Sequence, residues 1–326
     1  MPEPSLLAEA LVVRGLELRF GSRTYVMGIL NVTPDSFSGD GLLASASASA
    51  SAPGASAVVD AVVGAEALLS AARARARAMV AEGADIIDIG GQSTRPGHQP
   101  VAEAEEAARV VEVVAAVRDA LPEVPISVDT TRECVAAAAL DAGADILNDV
   151  SGVTHGAPLA GLAGRRGAPY ILMHARPHPE YDDVVGAVVA DLEAALERAV
   201  QQGCPERLLI VDPGIGFGKT VAQNLDLLGG LPRLARLGRP VLLGASRKST
   251  LGRVLGLPPE ERLEATLATN ALGIASGVDI VRVHDVAANV RVARMSDAIV
   301  RGTWRDDGVV ERLTGSTPSE DVTRAG

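Results

Sequence analysis

Ala81-Glu82-Gly83-Ala84-Asp85-Ile86-Ile87 recurs as Asp141-Ala142-Gly143-Ala144-Asp145-Ile146-Leu147, and again as Ala275-Ser276-Gly277-Val278-Asp279-Ile280-Val281. Each copy ends an Ala-rich helical stretch with a glycine, the residue that best tolerates a left-handed cap. The chain then drops into a β-branched apolar run. The repeat is a structural joint from helix to strand and not a catalytic motif. Outward from it, eight runs read as strands: Tyr25–Leu30, Ile86–Ile89, Ile126–Val128, Ile146–Leu147, Tyr170–Met173, Leu208–Val211, Val241–Leu243 and Ile280–Val283. They read as continuously apolar, as strands buried on both faces should. Helical stretches such as Val101–Leu121, Val184–Gln202 and Glu260–Ser276 lie between them. This alternation predicts a parallel sheet. Eight units over this length predict an α/β fold, a single (β/α)8 TIM barrel with its active site at the C-terminal ends of the strands. An open doubly wound sheet is the alternative.

The barrel is expected over residues 15–302, between an N-terminal extension, 1–14, and a polar C-terminal tail, 303–326. An Ala/Ser tract at about 44–56 has neither apolar periodicity nor charge, and reads as a flexible insertion after the first strand. The net charge of −11 disfavours a nucleic-acid or anionic-membrane surface. No apolar run is long enough to span a bilayer, and Met1 to Arg14, lacking the basic region, apolar stretch and cleavage site of a signal peptide, is not expected to be one. The two cysteines, Cys134 and Cys204, suit a reducing compartment, so a cytoplasmic enzyme is expected.

If the fold is a barrel, the residues after each strand share one rim. These are Asn31, Gly90 to Gly97, Asp129, Asn148-Asp149, His174, Asp212, Ser246-Arg247-Lys248 and His284-Asp285. Any one of them could be a cap or a loop residue; the whole set points to a site. Carboxylates, an amide and an ammonium (Asp129, Asn148, Asp212, Lys248) suit a guanine-like heterocycle with adjacent N–H donors and a carbonyl. Arg95, Arg282 and His284 add cations able to hold phosphates. The loop Asp212-Pro213-Gly214-Ile215-Gly216-Phe217-Gly218-Lys219 fails the Walker pattern, because Pro213 stands where glycine is required. Phe37 and Phe217, two of only three phenylalanines, lie in rim loops. Stacking on a flat ligand is the reading preferred for them over core filling.

Taken in order, the motifs resemble those of the dihydropteroate synthase family. They are Met27-Gly28-Ile29-Leu30-Asn31-Val32-Thr33-Pro34-Asp35-Ser36-Phe37-Ser38, Gly90-Gly91-Gln92-Ser93-Thr94-Arg95-Pro96-Gly97, Ile126-Ser127-Val128-Asp129-Thr130, Asn148-Asp149-Val150-Ser151-Gly152, Leu172-Met173-His174, the loop from Asp212 to Lys219, Ser246-Arg247-Lys248-Ser249 and Arg282-Val283-His284-Asp285-Val286. The resemblance covers roughly Arg14 to Arg301. It implies a transferase of folate biosynthesis that condenses 6-hydroxymethyl-7,8-dihydropterin diphosphate with p-aminobenzoate. It also implies Mg2+ bound with the pyrophosphate, and a homodimer. By the same resemblance, Asp129, Asn148, Met173, Asp212, Phe217 and Lys248 bind the pterin. Asn31, Arg282 and His284 hold the pyrophosphate, with Asn31 reaching the metal. Phe37, Thr94, Arg95, Pro96 and Ser249 form the p-aminobenzoate pocket. Asp35, Lys248 and Asp129 carry the chemistry, a dissociative substitution in which Asp35 stabilises the pterin cation.

Two departures touch the loops. Gln92 stands where the family usually has glutamate, and Ser38-Gly39-Asp40-Gly41 differs from the commoner Ser-Asp-Gly-Gly order. Two rivals share the pterin-reading residues: a methyltetrahydrofolate-dependent methyltransferase and a non-catalytic pterin-binding homologue. Keeping Ser246-Arg247-Lys248 and Arg282-Val283-His284 argues against the first, and the full set of ligand-binding residues argues against the second.

Overall fold

In all three copies of the repeat, the glycine takes the left-handed backbone: φ is +102° at Gly83, +111° at Gly143 and +99° at Gly277. The aspartate two residues on then turns back to the neighbouring strand. Asp85 accepts the N–H of Val26 at 2.8 Å, Asp145 that of Ile126 at 2.9 Å, and Asp279 that of Val241 at 3.1 Å. Arg23 and Arg118 pair with Asp85 and Asp145 at 2.7 and 2.6 Å, so these carboxylates staple the N-terminal ends of strands and lie away from any chemistry.

The protein's structure, a computed structural model, describes residues 10–32, 57–91, 102–154, 157–177 and 180–305. It opens with an antiparallel hairpin, β1 (Leu11–Val13) and β2 (Leu16–Leu18). Eight parallel strands follow: β3 (Tyr25–Asn31), β4 (Ile86–Gly90), β5 (Ile126–Asp129), β6 (Ile146–Asp149), β7 (Tyr170–Met173), β8 (Leu209–Asp212), β9 (Leu242–Leu243) and β10 (Ile280–Val283). Their spatial order is β8-β7-β6-β5-β4-β3-β10-β9, and the Val211 N–H closes the ring on the Pro240 carbonyl at 2.9 Å. The closed (β/α)8 barrel is therefore the fold, and the open sheet is not. Between the strands run α1 (Ala57–Ala81), α2 (Glu103–Ala120), α3 (Glu133–Asp141), α4 (Ala160–Arg166), α5 (Val184–Gln201), α6 (Val221–Gly229), α7 (Leu231–Leu234), α8 (Ser249–Leu255) and α9 (Leu263–Ala275); α10 (Val286–Val300) follows β10.

Two cores follow from the two-residue period of the strands. Outward-facing residues such as Ile87, Val128, Leu147, Val211 and Val281 pack under the helices. Inward-facing Tyr25, Met27, Ile86, Ile146, Ile171, Ile210, Leu242 and Ile280 fill the lower barrel, together with Val13 and Leu18 of the hairpin. The hairpin thus plugs the N-terminal mouth. The expected division at 14/15 falls inside the hairpin turn, whose two short strands carry too little periodicity to be read from sequence. The tract at 44–56 and the tail beyond Arg305 lie outside the described residues.

The strands also run further than expected. Asn31, Gly90, Asp129, Asn148-Asp149 and Asp212 are the last residues of strands and not the first of loops. They stay in hydrogen-bonded register with their neighbours: Asn31 opposite Gly90, Gly90 opposite Asp129, and Asp129 opposite Asn148. A polar residue that continues the ladder is held by backbone and cannot swing as a loop residue would.

Candidate active site

One step up each strand from the apolar plug, the same inward period delivers polar groups. Asp88 on β4, Asp129 on β5, Asn148 on β6, Met173 on β7, Asp212 on β8 and Arg282 on β10 face one space. The expected strand-end residues therefore converge. Asn31 is at the exposed end of β3, Lys248 and Ser249 follow β9, and His284 follows β10. Asp35, Phe37, Thr94, Arg95 and Pro96 lie outside the described residues.

Asp212 is buried, and its Oδ1 accepts the Gly214 N–H at 2.7 Å. Its Oδ2 lies 3.6 Å from where a side chain on Gly244 would begin, so the missing Cβ leaves room beside that oxygen. Burial pushes the Asp212 carboxyl above its ordinary range, opposed by the Gly214 N–H and by Lys248. The loop after Asp212 needs its glycines. A Cβ on Gly214 would meet the His174 carbonyl oxygen at 1.8 Å, and one on Gly218 the Arg176 carbonyl oxygen at 1.7 Å; both have positive φ. Lys219 clamps this loop, its Nζ donating to the carbonyls of Gly214 at 2.9 Å, Phe217 at 3.1 Å and His174 at 3.4 Å. Burial lowers the Lys219 ammonium to about 7. The half-buried Phe217 does not fill the core; its ring lies 4.1 Å beneath the Lys248 Nζ.

The deepest polar cluster centres on Arg282. Its Nε donates to Asp88 at 2.6 Å and its Nη2 to Asp129 at 2.8 Å. The Arg282 side chain, expected among the rim cations able to hold phosphates, is thus tied to two carboxylates of the barrel wall. Burial raises the Asp129 carboxyl to about 7, with Arg282 acting against it and Asp88 with it. His174 also departs from its expected place on the rim. It is fully buried and bonds to Asp191 of α5 at 3.0 Å, and burial lowers it to about 4, so it is a neutral structural group. His284 meets the Ser246 hydroxyl at 3.0 Å through Nδ1.

Asp88 is hidden within Ile86–Ile89, a run that reads as apolar. A carboxylate within Ile-Ile-Asp-Ile, in a strand buried on both faces, was the available signal. In the sequence, Lys219 stands only as the last residue of the loop that begins at Asp212. Among the described residues, no group of three or more His, Cys, Asp or Glu is placed to hold a metal, and no helix is long and apolar enough to cross a membrane.

This geometry has relatives. The family described as "Pterin binding enzyme" matches residues 60–284. The dihydropteroate synthase of Bacillus subtilis is 45% identical over 283 residues, covering 87% of this chain and 91% of that protein. The solved structure of dihydropteroate synthase from Clostridium difficile, determined with pteroic acid, is 42% identical with a TM-score of 0.73, covering 86% of this chain and 98% of that one. The Xanthomonas albilineans dihydropteroate synthase, solved with 4-aminobenzoic acid, is 38% identical with a TM-score of 0.74, covering 87% and 94%. With the family spanning more than half of the sequence, and likeness at this level over nearly all of the barrel, the chain belongs to the pterin-binding enzymes and, within them, to the dihydropteroate synthases, transferases of folate biosynthesis.

Proposed function

We propose that this barrel joins p-aminobenzoate to 6-hydroxymethyl-7,8-dihydropterin diphosphate by a dissociative substitution, giving 7,8-dihydropteroate and pyrophosphate. The observation that supports the pterin pocket best is Asp212, with one oxygen held by Gly214 and the other beside the space over Gly244. A carboxylate so placed reads the adjacent amino and ring N–H groups of a pterin. Asn148 reads the ring beside it, Asp129 the far edge, and Lys248 the ring carbonyl, while Met173 and Phe217 line the slot. Ser249, exposed at the start of α8, faces the carboxylate of p-aminobenzoate. Phe37, Thr94, Arg95 and Pro96 complete that pocket.

In the reaction, the bond from the exocyclic carbon to the diphosphate oxygen breaks first, and its electron pair leaves with pyrophosphate. The cation left on the electron-rich ring is stabilised by Asp129 and Asp35. The amine nitrogen then bonds to that carbon and gives up one proton to solvent, and no covalent enzyme adduct forms. Asn31, Arg282 and His284 hold the pyrophosphate. Arg282 has five N–H donors, more than the two hydrogen bonds it makes to Asp88 and Asp129. Bound with the pyrophosphate, Mg2+ would make it a better leaving group. The Asn31 amide oxygen is a hard donor of the kind that would suit such an ion.

The deciding assay is pyrophosphate release from the pterin diphosphate, with and without p-aminobenzoate. Release that depends on both substrates and Mg2+ is expected; no dihydropteroate under those conditions would sink the reading. It would also favour the non-catalytic homologue.

The enzyme is further proposed to be a cytoplasmic homodimer, and both described cysteines are free thiols. Leu272 of α9 and Met295 and Ile299 of α10 stand 71%, 61% and 70% exposed on two helices packed together, and a partner would cover them. Ile299→Glu should yield a monomer in sedimentation. A dimer of unchanged affinity would place the interface elsewhere.

A further inference from the structure

Asp88 has no exposed surface, so it cannot touch a substrate. Its environment is nevertheless polar, and it belongs to the layer of the barrel that forms the site. Arg282 Nε lies 2.6 Å from Oδ2, and the Asn148 Nδ2 lies 3.5 Å from both oxygens. We propose that Asp88 is a positioning residue of the reaction, holding the Arg282 guanidinium and the Asn148 amide in the orientations in which they meet the pterin diphosphate. The inference rests on the pterin and pyrophosphate roles proposed above for those two residues.

An ionised carboxylate only accepts hydrogen bonds. Asn148 must therefore turn its NH2 towards Asp88, which leaves its carbonyl oxygen for a ring N–H in the pocket. Arg282 is fixed at two points, by Asp88 from β4 and by Asp129 from β5, so its planar fork has one orientation. A buried ion pair also stabilises a fold less than apolar packing of the same volume. The strand below uses Ile86 for packing, so a carboxylate one inward position higher is not needed to fill space.

The same arrangement links Asp88 to the charge on Asp129. The groups acting on Asp129 are Arg282 from β10, Asp88 from β4, Lys248 after β9 and Asp149 from β6. Burial is the main cause of its raised value, and the negative charge of Asp88 adds to it.

Asp88→Asn puts an amide where the shared acceptor was. The expected result is a 10- to 100-fold fall in kcat/KM for the pterin diphosphate (roughly one to two hydrogen bonds to charged groups). KM for p-aminobenzoate should stay within about twofold, since the groups Asp88 bonds to, Arg282 and Asn148, are assigned to the pterin diphosphate and not to that pocket. The acid limb of the pH–kcat/KM profile should move to lower pH, because the neighbouring negative charge is gone. A purely structural residue would lower the melting temperature and leave the limb where it was. Unchanged kcat/KM, or a loss with an unmoved limb, would overturn the proposal. If Asp88→Asn does not fold, Asp88→Ser with added formate replaces it: recovery of turnover with formate is expected, and no recovery overturns the proposal. Failure of both variants to fold would assign Asp88 to the fold alone and equally overturn it. Turnover by the unmodified enzyme in the same assay separates these outcomes from failure of the synthase reading.

Discussion

Asp212→Asn is expected to weaken pterin binding by roughly 3–5 kcal/mol, or about 100- to 5,000-fold, while leaving the barrel folded. In the proposed pocket the carboxylate accepts two N–H donors from the ring. Asparagine faces one of them with its own NH2, so one charge-assisted hydrogen bond is lost and a buried donor is left unmatched. The fold should survive because the asparagine oxygen can still accept the Gly214 N–H. The sign of the charge effect agrees. Burial holds the Asp212 carboxyl above its unfolded value, so ionisation in the folded state costs stability as pH rises through that range. Removing the charge removes that cost, and at pH 8 the variant should melt no lower than the parent. Calorimetric titration with the pterin diphosphate, beside a melting curve, decides the matter. Binding within threefold of the parent would mean that Asp212 does not read the pterin.

Arg282→Met should be the most damaging change to the fold among the site residues. It leaves Asp88 and Asp129 buried without their shared cation, and breaking such a pair costs about 3–5 kcal/mol. The loss should depend on pH with a definite sign. Asp129 already lies at about 7 in the parent, with Arg282 opposing the rise, so in the variant it lies higher still. An ordinary aspartate in the unfolded chain titrates near ~3.9. Between those limits the folded variant binds the extra proton and the unfolded chain does not, so stability falls as pH rises through the window. The deficit relative to the parent should therefore be small near pH 5 and largest above pH 7. Urea unfolding at the two pH values tests this, and an equal deficit at both would contradict the shared-guanidinium account.

These predictions also separate what is local from what is not. The eight strands were legible because each needs only a short apolar run and a glycine at the joint. Gly83, Gly143 and Gly277 mark those joints whatever the rest of the chain does. The rim was legible for a related reason: a strand that ends in Asp212 or Asn148 must deliver that residue to the C-terminal mouth once the sheet is parallel. The partners of the rim residues were not. Asp88 and Arg282 are 194 residues apart, and only closure of the barrel sets them on either side of β3. His174 follows Met173 directly, yet the two-residue period turns it away from the pocket towards Asp191. The hairpin plug is not legible in the sequence because three-residue strands carry no period, and Val13 and Leu18 acquire their role only beneath a closed ring.

The order of strands and helices, the polar identity of the rim and its likeness to one family of enzymes are written in the linear chain. These depend on residue type and near-neighbour spacing, which the chain carries wherever it goes. Tertiary structure alone decided that Arg282 is anchored between two carboxylates, that Lys219 clamps the loop beneath Phe217, and that Asp88 stands behind the site. Charge pairing in a barrel is set by distances across its interior, and those distances exist only after the eighth strand has closed on the first.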